Sequence, residues 1–171
     1  MDTKIRSLTK DDKKYLLKWL TDPEVLAYYE GRDQTFHDAD IERKFYNSDP
    51  INRMILEYQG EPIGYMQSYL LDSLEYQEYG YSDDLNVMGI DLFIGVPSLW
   101  NHGLGTKFIT LYLNTIPSTI DYVVLDPLVF NTRSIRCYEK SGFHKKKRLR
   151  AHELHEGIWQ DAWLMEYVVE K

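Results

Sequence analysis

A chain of 171 residues is expected to fold as one domain, 1–171, long enough to bury a real core. Its net charge of −7 argues against a nucleic-acid partner, and no run nears the roughly 18 apolar residues of a membrane helix. Cys137 is the only cysteine and Met1-Asp2-Thr3-Lys4 opens no apolar leader, so a cytoplasmic location without disulfides is the expectation.

In chain order, residues 4–8 read as a first strand. Thr9-Lys10-Asp11-Asp12 has the form of a capping box, and Tyr15, Leu16, Trp19 and Leu20 follow at helical spacing. Asp22-Pro23 starts a second helix that carries Val25, Leu26, Tyr28 and Tyr29 and stops near Gly31. Thr35 with Asp38 caps a third, short one. Residues 52–58 and 63–70 are hairpin strands about Gln59-Gly60-Glu61-Pro62. Residues 72–86 break the pattern, with Asp72, Glu75, Glu78, Asp83 and Asp84 interleaved with Tyr76, Tyr79 and Tyr81. They read as a long connection, either a solvated hairpin tip or an anionic, aromatic wall for a polar cation.

Residues 87–94 are the fourth strand, 103–114 a helix and 122–125 a fifth strand. A helix over 132–141 is closed by Gly142, and two last strands, 143–150 and 159–169, are joined through His152-Glu153-Leu154-His155-Glu156-Gly157. This order predicts one α/β domain on a mixed sheet.

Asp91 is the most informative residue. Strand alternation puts Ile90, Leu92 and Ile94 on one face and Asp91 and Phe93 on the other. A carboxylate among such neighbours costs desolvation energy unless it is paired or used. It is either salt-bridged at an edge or a base or cation anchor facing a cleft. Downstream, Gly103-Leu104-Gly105-Thr106 opens a helix, where bunched backbone N–H groups suit an anion such as a pyrophosphate. A dinucleotide fingerprint is excluded because Phe108 fills its third glycine position, and a phosphate-binding Gly-Lys-Ser/Thr is absent. His152 and His155 lack zinc-protease spacing, so no metal is expected. Asn131 alone would serve as a helix N-cap, Tyr138 as a half-buried aromatic and Cys137 as a small packing residue.

Together these stretches resemble the GCN5-related N-acetyltransferase (GNAT) family. Its Gln/Arg-x-x-Gly-x-Gly/Ala signature matches Trp100-Asn101-His102-Gly103-Leu104-Gly105, with Trp100 departing at the first position. Its Asn-x-x-Ala-x-x-x-Tyr-x-x-x-Gly-Phe pattern matches 131–143, with Ser134 for Ala. Residues 89–95 and 103–107, and Asp126-Pro127 followed by 134–143, are further similar to aminoglycoside 6′-N-acetyltransferases, especially the acetyltransferase half of Gram-positive bifunctional acetyltransferase–phosphotransferase enzymes.

The resemblance implies an α/β fold of the α+β type, with a central mixed, mainly antiparallel sheet flanked by helices. It implies acetyl-CoA as co-substrate, bound by Phe93, Ile94, Asn101, His102, Gly103, Leu104, Gly105, Thr106, Asn131 and Tyr138. Asp91 is the implied base and Tyr138 the proton donor to the leaving thiolate. Asp91, Asp126, Tyr29, Gln67, Tyr69 and Glu153 are the implied acceptor residues, with Glu156 a weaker candidate. The implied acceptor is a cationic small amine, an aminoglycoside first and a polyamine or siderophore precursor second. A non-catalytic acyl-CoA-binding module is a third reading, and monomer and homodimer both fit.

Overall fold

The computed structural model describes residues 2–171. Its strands are β1 (Thr3–Ser7), β2 (Asn52–Tyr58), β3 (Glu61–Leu70), β4 (Val87–Ile94), β5 (Tyr122–Leu125), β6 (His144–His155) and β7 (Ile158–Val168). They form one sheet ordered β1-β2-β3-β4-β5-β7-β6, antiparallel throughout except for the β4–β5 pair. The mixed, mainly antiparallel sheet expected from the resemblance is therefore present.

Both faces of the central strands are covered, which is why β2 and β3 contain continuous buried runs such as Met54-Ile55-Leu56 and Ile63-Gly64-Tyr65-Met66. On one face lie α5 (Leu104–Leu113) and α6 (Thr132–Lys140), which press Phe108, Ile109, Ile135 and Tyr138 onto Met66, Ile90 and Val123. On the other lie α1 (Lys13–Trp19), α2 (Pro23–Leu26) and α3 (Asp38–Phe45), with Leu16, Trp19, Leu26 and Phe45 against Ile55, Tyr65 and Phe93. Further along that second face, α4 (Ser73–Tyr79) joins a cluster of Tyr79, Tyr81, Val124 and Leu164.

This α4 corrects the expectation of a long connection at 72–86. Asp72 accepts the Glu75 backbone N–H at 2.8 Å while Glu75 accepts the Asp72 N–H at 3.0 Å, a reciprocal cap. Gly80 closes the helix at φ +79°. The tyrosines turn inward instead of forming a wall. Tyr76 donates to the Leu85 carbonyl at 2.7 Å, and Tyr81 donates to Glu166 at 2.5 Å.

The last hairpin also differs from expectation. β6 runs on to His155, so only Glu156 and Gly157, both at positive φ, make the turn. A bulge between Leu149 and Glu153, with Ala151 at φ +46°, shifts the register and hides the strand's alternation.

One glycine on β4 and one just after it meet aromatic rings. A Cβ on Gly89 would lie 2.6 Å from the Tyr69 ring, and one on Gly95 would overlap Trp19. Beyond Gly89 the sheet opens. β4 and β5 pair only from Val87 with Tyr122 to Gly89 with Val124, and then they part.

Candidate active site

A cavity of about 810 Å³ lies where β4 and β5 separate. The ladder register decides which β4 backbone groups face it. Gly95 donates to Ile63 at 2.7 Å, and the same register pairs Phe93 with Tyr65 and Asp91 with Gln67. Antiparallel alternation then turns the N–H groups of Leu92 and Ile94 away from β3, toward the opening. Phe93 lines the cavity through its ring, packed 4.5 Å from Tyr29, while its backbone is committed to β3. The free donors on this edge belong to Leu92 and Ile94.

One sector of the cavity is acidic, lined by Asp91, Asp126 and Glu153 with Tyr29, Gln67 and Tyr69. Gln67 donates to Asp91 Oδ2 at 2.9 Å and is itself oriented by the Tyr65 hydroxyl, 2.7 Å from its Oε1. Burial first, then the Asp126 carboxylate, pushes the Asp91 carboxyl up to about 7, against hydrogen bonds from Gln67 and Tyr69. Burial and Asp126 also raise the Glu153 carboxyl. Tyr29 and Tyr69 are raised by burial too, so both phenols stay neutral donors. A concentration of carboxylates at this price in desolvation suits a ligand bearing several ammonium groups.

The other sector is the loop after β4. Asn101 and Gly103 line it, both in left-handed backbone, at φ +66° and +77°. They lead into Leu104, Gly105 and Thr106, the first turn of α5, whose N–H groups have no intrahelical acceptor. Nothing lies within 4 Å of a Cβ built on Gly103, whereas one on Gly105 would be 2.9 Å from Cys137 Sγ. Gly105 thus lets α5 approach α6, and Cys137 is the packing residue the sequence suggested. His102, expected in this group, is exposed and does not line the cavity. On α6, Asn131 caps the helix by accepting from the Ser134 N–H at 3.4 Å and also lines the cavity. Tyr138, about two turns farther on, reaches the same space, its phenol raised by burial. The unpaired strand edge and the amide-lined turn fit an extended ligand carrying amides and phosphates.

A family model described as an acetyltransferase (GNAT) domain matches residues 9–151. The chain belongs to the GNAT acetyltransferase family. Aminoglycoside N(6′)-acetyltransferase type 1 of Klebsiella pneumoniae is 29% identical to this GNAT chain over 148 residues, covering 83% of it and 74% of the relative. Aminoglycoside acetyltransferase AAC(6′)-Ib in complex with coenzyme A and kanamycin superposes with a TM-score of 0.72 at 26% identity, covering 97% of this chain and 94% of that one. Spermidine N-acetyltransferase from Vibrio cholerae, in complex with CoA and spermine, shares the fold, with a TM-score of 0.75 at 18% identity over 98% of this chain and 96% of that one.

Sequence reading missed several residues of this GNAT site. His152 stands with Nε2 2.8 Å from Asp126 and Nδ1 3.0 Å from Glu78. The hydrogen bond to Asp126 is the main cause that raises it to about 9, so at neutral pH an imidazolium bridges the two carboxylates. Asp126 is therefore already partnered before any ligand arrives. Glu156, a candidate acceptor contact, is instead committed to Arg32, at 2.6 and 2.8 Å. Arg133 lines the cavity beneath Trp100 and Tyr28. Only the three-dimensional approach of residues 26 to 124 positions apart brings these groups together, and no local pattern announces it.

Proposed function

We propose that this chain transfers an acetyl group from acetyl-CoA to the 6′-amine of aminoglycoside antibiotics, in a ternary complex and without a covalent enzyme intermediate. The observation that carries the reading is a single cavity with carboxylates and neutral phenols in one sector and an amide-lined anion site in the other. The aminoglycoside acetyltransferases of similar sequence and structure support the choice of acceptor. In finer detail, the reading likens the chain to the acetyltransferase half of the Gram-positive bifunctional enzymes, acting as one domain over 1–171. It also implies a cytoplasmic enzyme, where acetyl-CoA is made.

Acetyl-CoA supplies the acetyl group as a reactive thioester. The chain's own residues bind, orient and move protons. The Leu104–Thr106 amides and the Leu92 and Ile94 N–H groups hold the extended co-substrate as an added strand. Asp126, Glu153, Tyr29 and Tyr69 gather the cationic acceptor. Asp91, with its pKa near neutrality, attracts the reacting ammonium and takes one proton from it, leaving a lone pair for attack. Tyr138 holds its proton at Oη until it passes to the departing sulfur, and the second proton shed by the acylated nitrogen restores the phenol through solvent. Most of the acceleration then comes from positioning two bound reactants.

A thiol-release assay tests the reading. CoA release with kanamycin or tobramycin, but not with an analogue bearing a 6′-hydroxyl, is expected. Turnover on spermidine alone would overturn the acceptor assignment, and tight CoA binding without turnover on any amine would reduce the chain to a binding module.

A further inference from the structure

We propose that Arg133, packed against Trp100 and Tyr28, is a phosphate-binding cation of the co-substrate site. The inference rests on the acetyl-CoA reading above and adds to it a residue outside the glycine loop. Arg133 is the second residue of α6 and lines the cavity. Its guanidinium carbon lies 3.9 Å from the Trp100 ring centroid and 4.5 Å from that of Tyr28. The rings are themselves fixed. Trp100 Nε1 donates to the Ile94 carbonyl at 2.9 Å, the Trp100 and Tyr28 rings meet edge to face at 5.7 Å, and Tyr28 stacks on Phe130.

A guanidinium packed over the Trp100 ring makes no hydrogen bond through that contact, so its N–H groups stay available for bidentate phosphate recognition. Arg6, Arg32, Arg43 and Arg148 each pair with a carboxylate, whereas Arg53, Arg133, Arg136 and Arg150 do not among the described residues, and of these Arg133 and Arg136 line the cavity. In a chain with 27 acidic side chains, a rigid cation facing a cavity without an acidic partner points to an anionic ligand. The acceptor cannot be that ligand, since it is a polycation gathered by Asp91, Asp126 and Glu153. Arg136 and Lys140 lie on the same cavity-lining side of α6, so the helix adds a basic stripe around Arg133. Trp100 stands where the family signature has Gln or Arg. Here that position holds an aromatic platform, and the cation comes from α6.

Isothermal titration of CoA onto the full chain tests this, with melting curves to check folding. Arg133→Gln is expected to weaken CoA about tenfold, Arg133→Lys by less because charge remains without the stacked plane, and Trp100→Leu in between. Titration with 3′-dephospho-CoA separates the two phosphate sources. A wild-type-to-variant ratio near one there assigns Arg133 to the 3′-phosphate, and an unchanged ratio assigns it to the pyrophosphate; either supports the proposal. Folded Arg133→Gln and Arg133→Lys proteins binding CoA like wild type would overturn it. So would a raised acceptor KM with CoA affinity intact. Failure of the wild-type chain to bind CoA would instead overturn the acetyl-CoA reading, and this inference with it.

Discussion

Asp91 is held in a way that costs the fold and suits the proton transfer proposed for it. Its carboxyl is raised to about 7, chiefly by burial, from an ordinary value of 3.8. The folded chain therefore binds more protons than the unfolded chain between those values, and stability falls as pH rises through that window. Above pH 7 the cost is complete. Access to the cavity discounts it to about 1–2 kcal/mol. Asp91→Asn should thus raise Tm by roughly 2–8 °C at pH 8 and leave it nearly unchanged at pH 4. The same variant should lose about a hundredfold in turnover while keeping CoA affinity. Wild-type turnover should climb with pH through about 7 as Asp91 loses its proton. A flat pH profile, or an Asp91→Asn enzyme at wild-type rate, would remove Asp91 from the proton path.

At the scale of elements, β4 is where packing and site construction meet. Gly89 is paired with Tyr69 on β3 and with Val124 on β5, so its backbone cannot retreat from the ring above it. Gly89→Ala is expected to force Tyr69 aside, costing ~1–3 kcal/mol in a urea titration. The acceptor KM should rise with little change in CoA affinity, because Tyr69 lines the acidic sector alone. Unchanged urea midpoint and KM would show that the ring yields without consequence.

β4 also shows what could be read beforehand. Its alternation and its glycines mark the strand, the cavity-facing carboxylate and the turn that follows, because each is a local pattern of period two or a residue without a side chain. α4 escaped notice although Asp72, Glu75 and Gly80 spell its caps, since its tyrosines are interleaved with acidic residues and form no apolar stripe of helical period. The β6 bulge at Leu149–Glu153 concealed the strand's continuation to His155 by resetting its alternation. His152 with Asp126, and Trp100 with Arg133, meet through tertiary structure alone.

Across the whole molecule, charge is sorted and not spread. The edge strand β6 carries Lys145, Lys146, Lys147, Arg148 and Arg150, a basic rim that discourages edge-to-edge pairing. At the opposite edge, β1 holds Arg6 in bonds to Asp12 at 2.7 and 2.8 Å and to Glu57 at 2.7 Å. The excess of acid that remains draws a polycation toward the molecule, an attraction that salt weakens.

The short β4–β5 pairing has one more consequence, for solvent exchange. Leu92 and Ile94 sit mid-sheet among buried residues, yet their amides face an opening where neighbouring strands have parted. Amide hydrogen–deuterium exchange followed by NMR should find both as fast as loop amides in the free protein, with Phe93 between them slow. Added CoA should slow Leu92 and Ile94 selectively. Equal protection of all three in the free chain would mean that the sheet is closed at this point in solution.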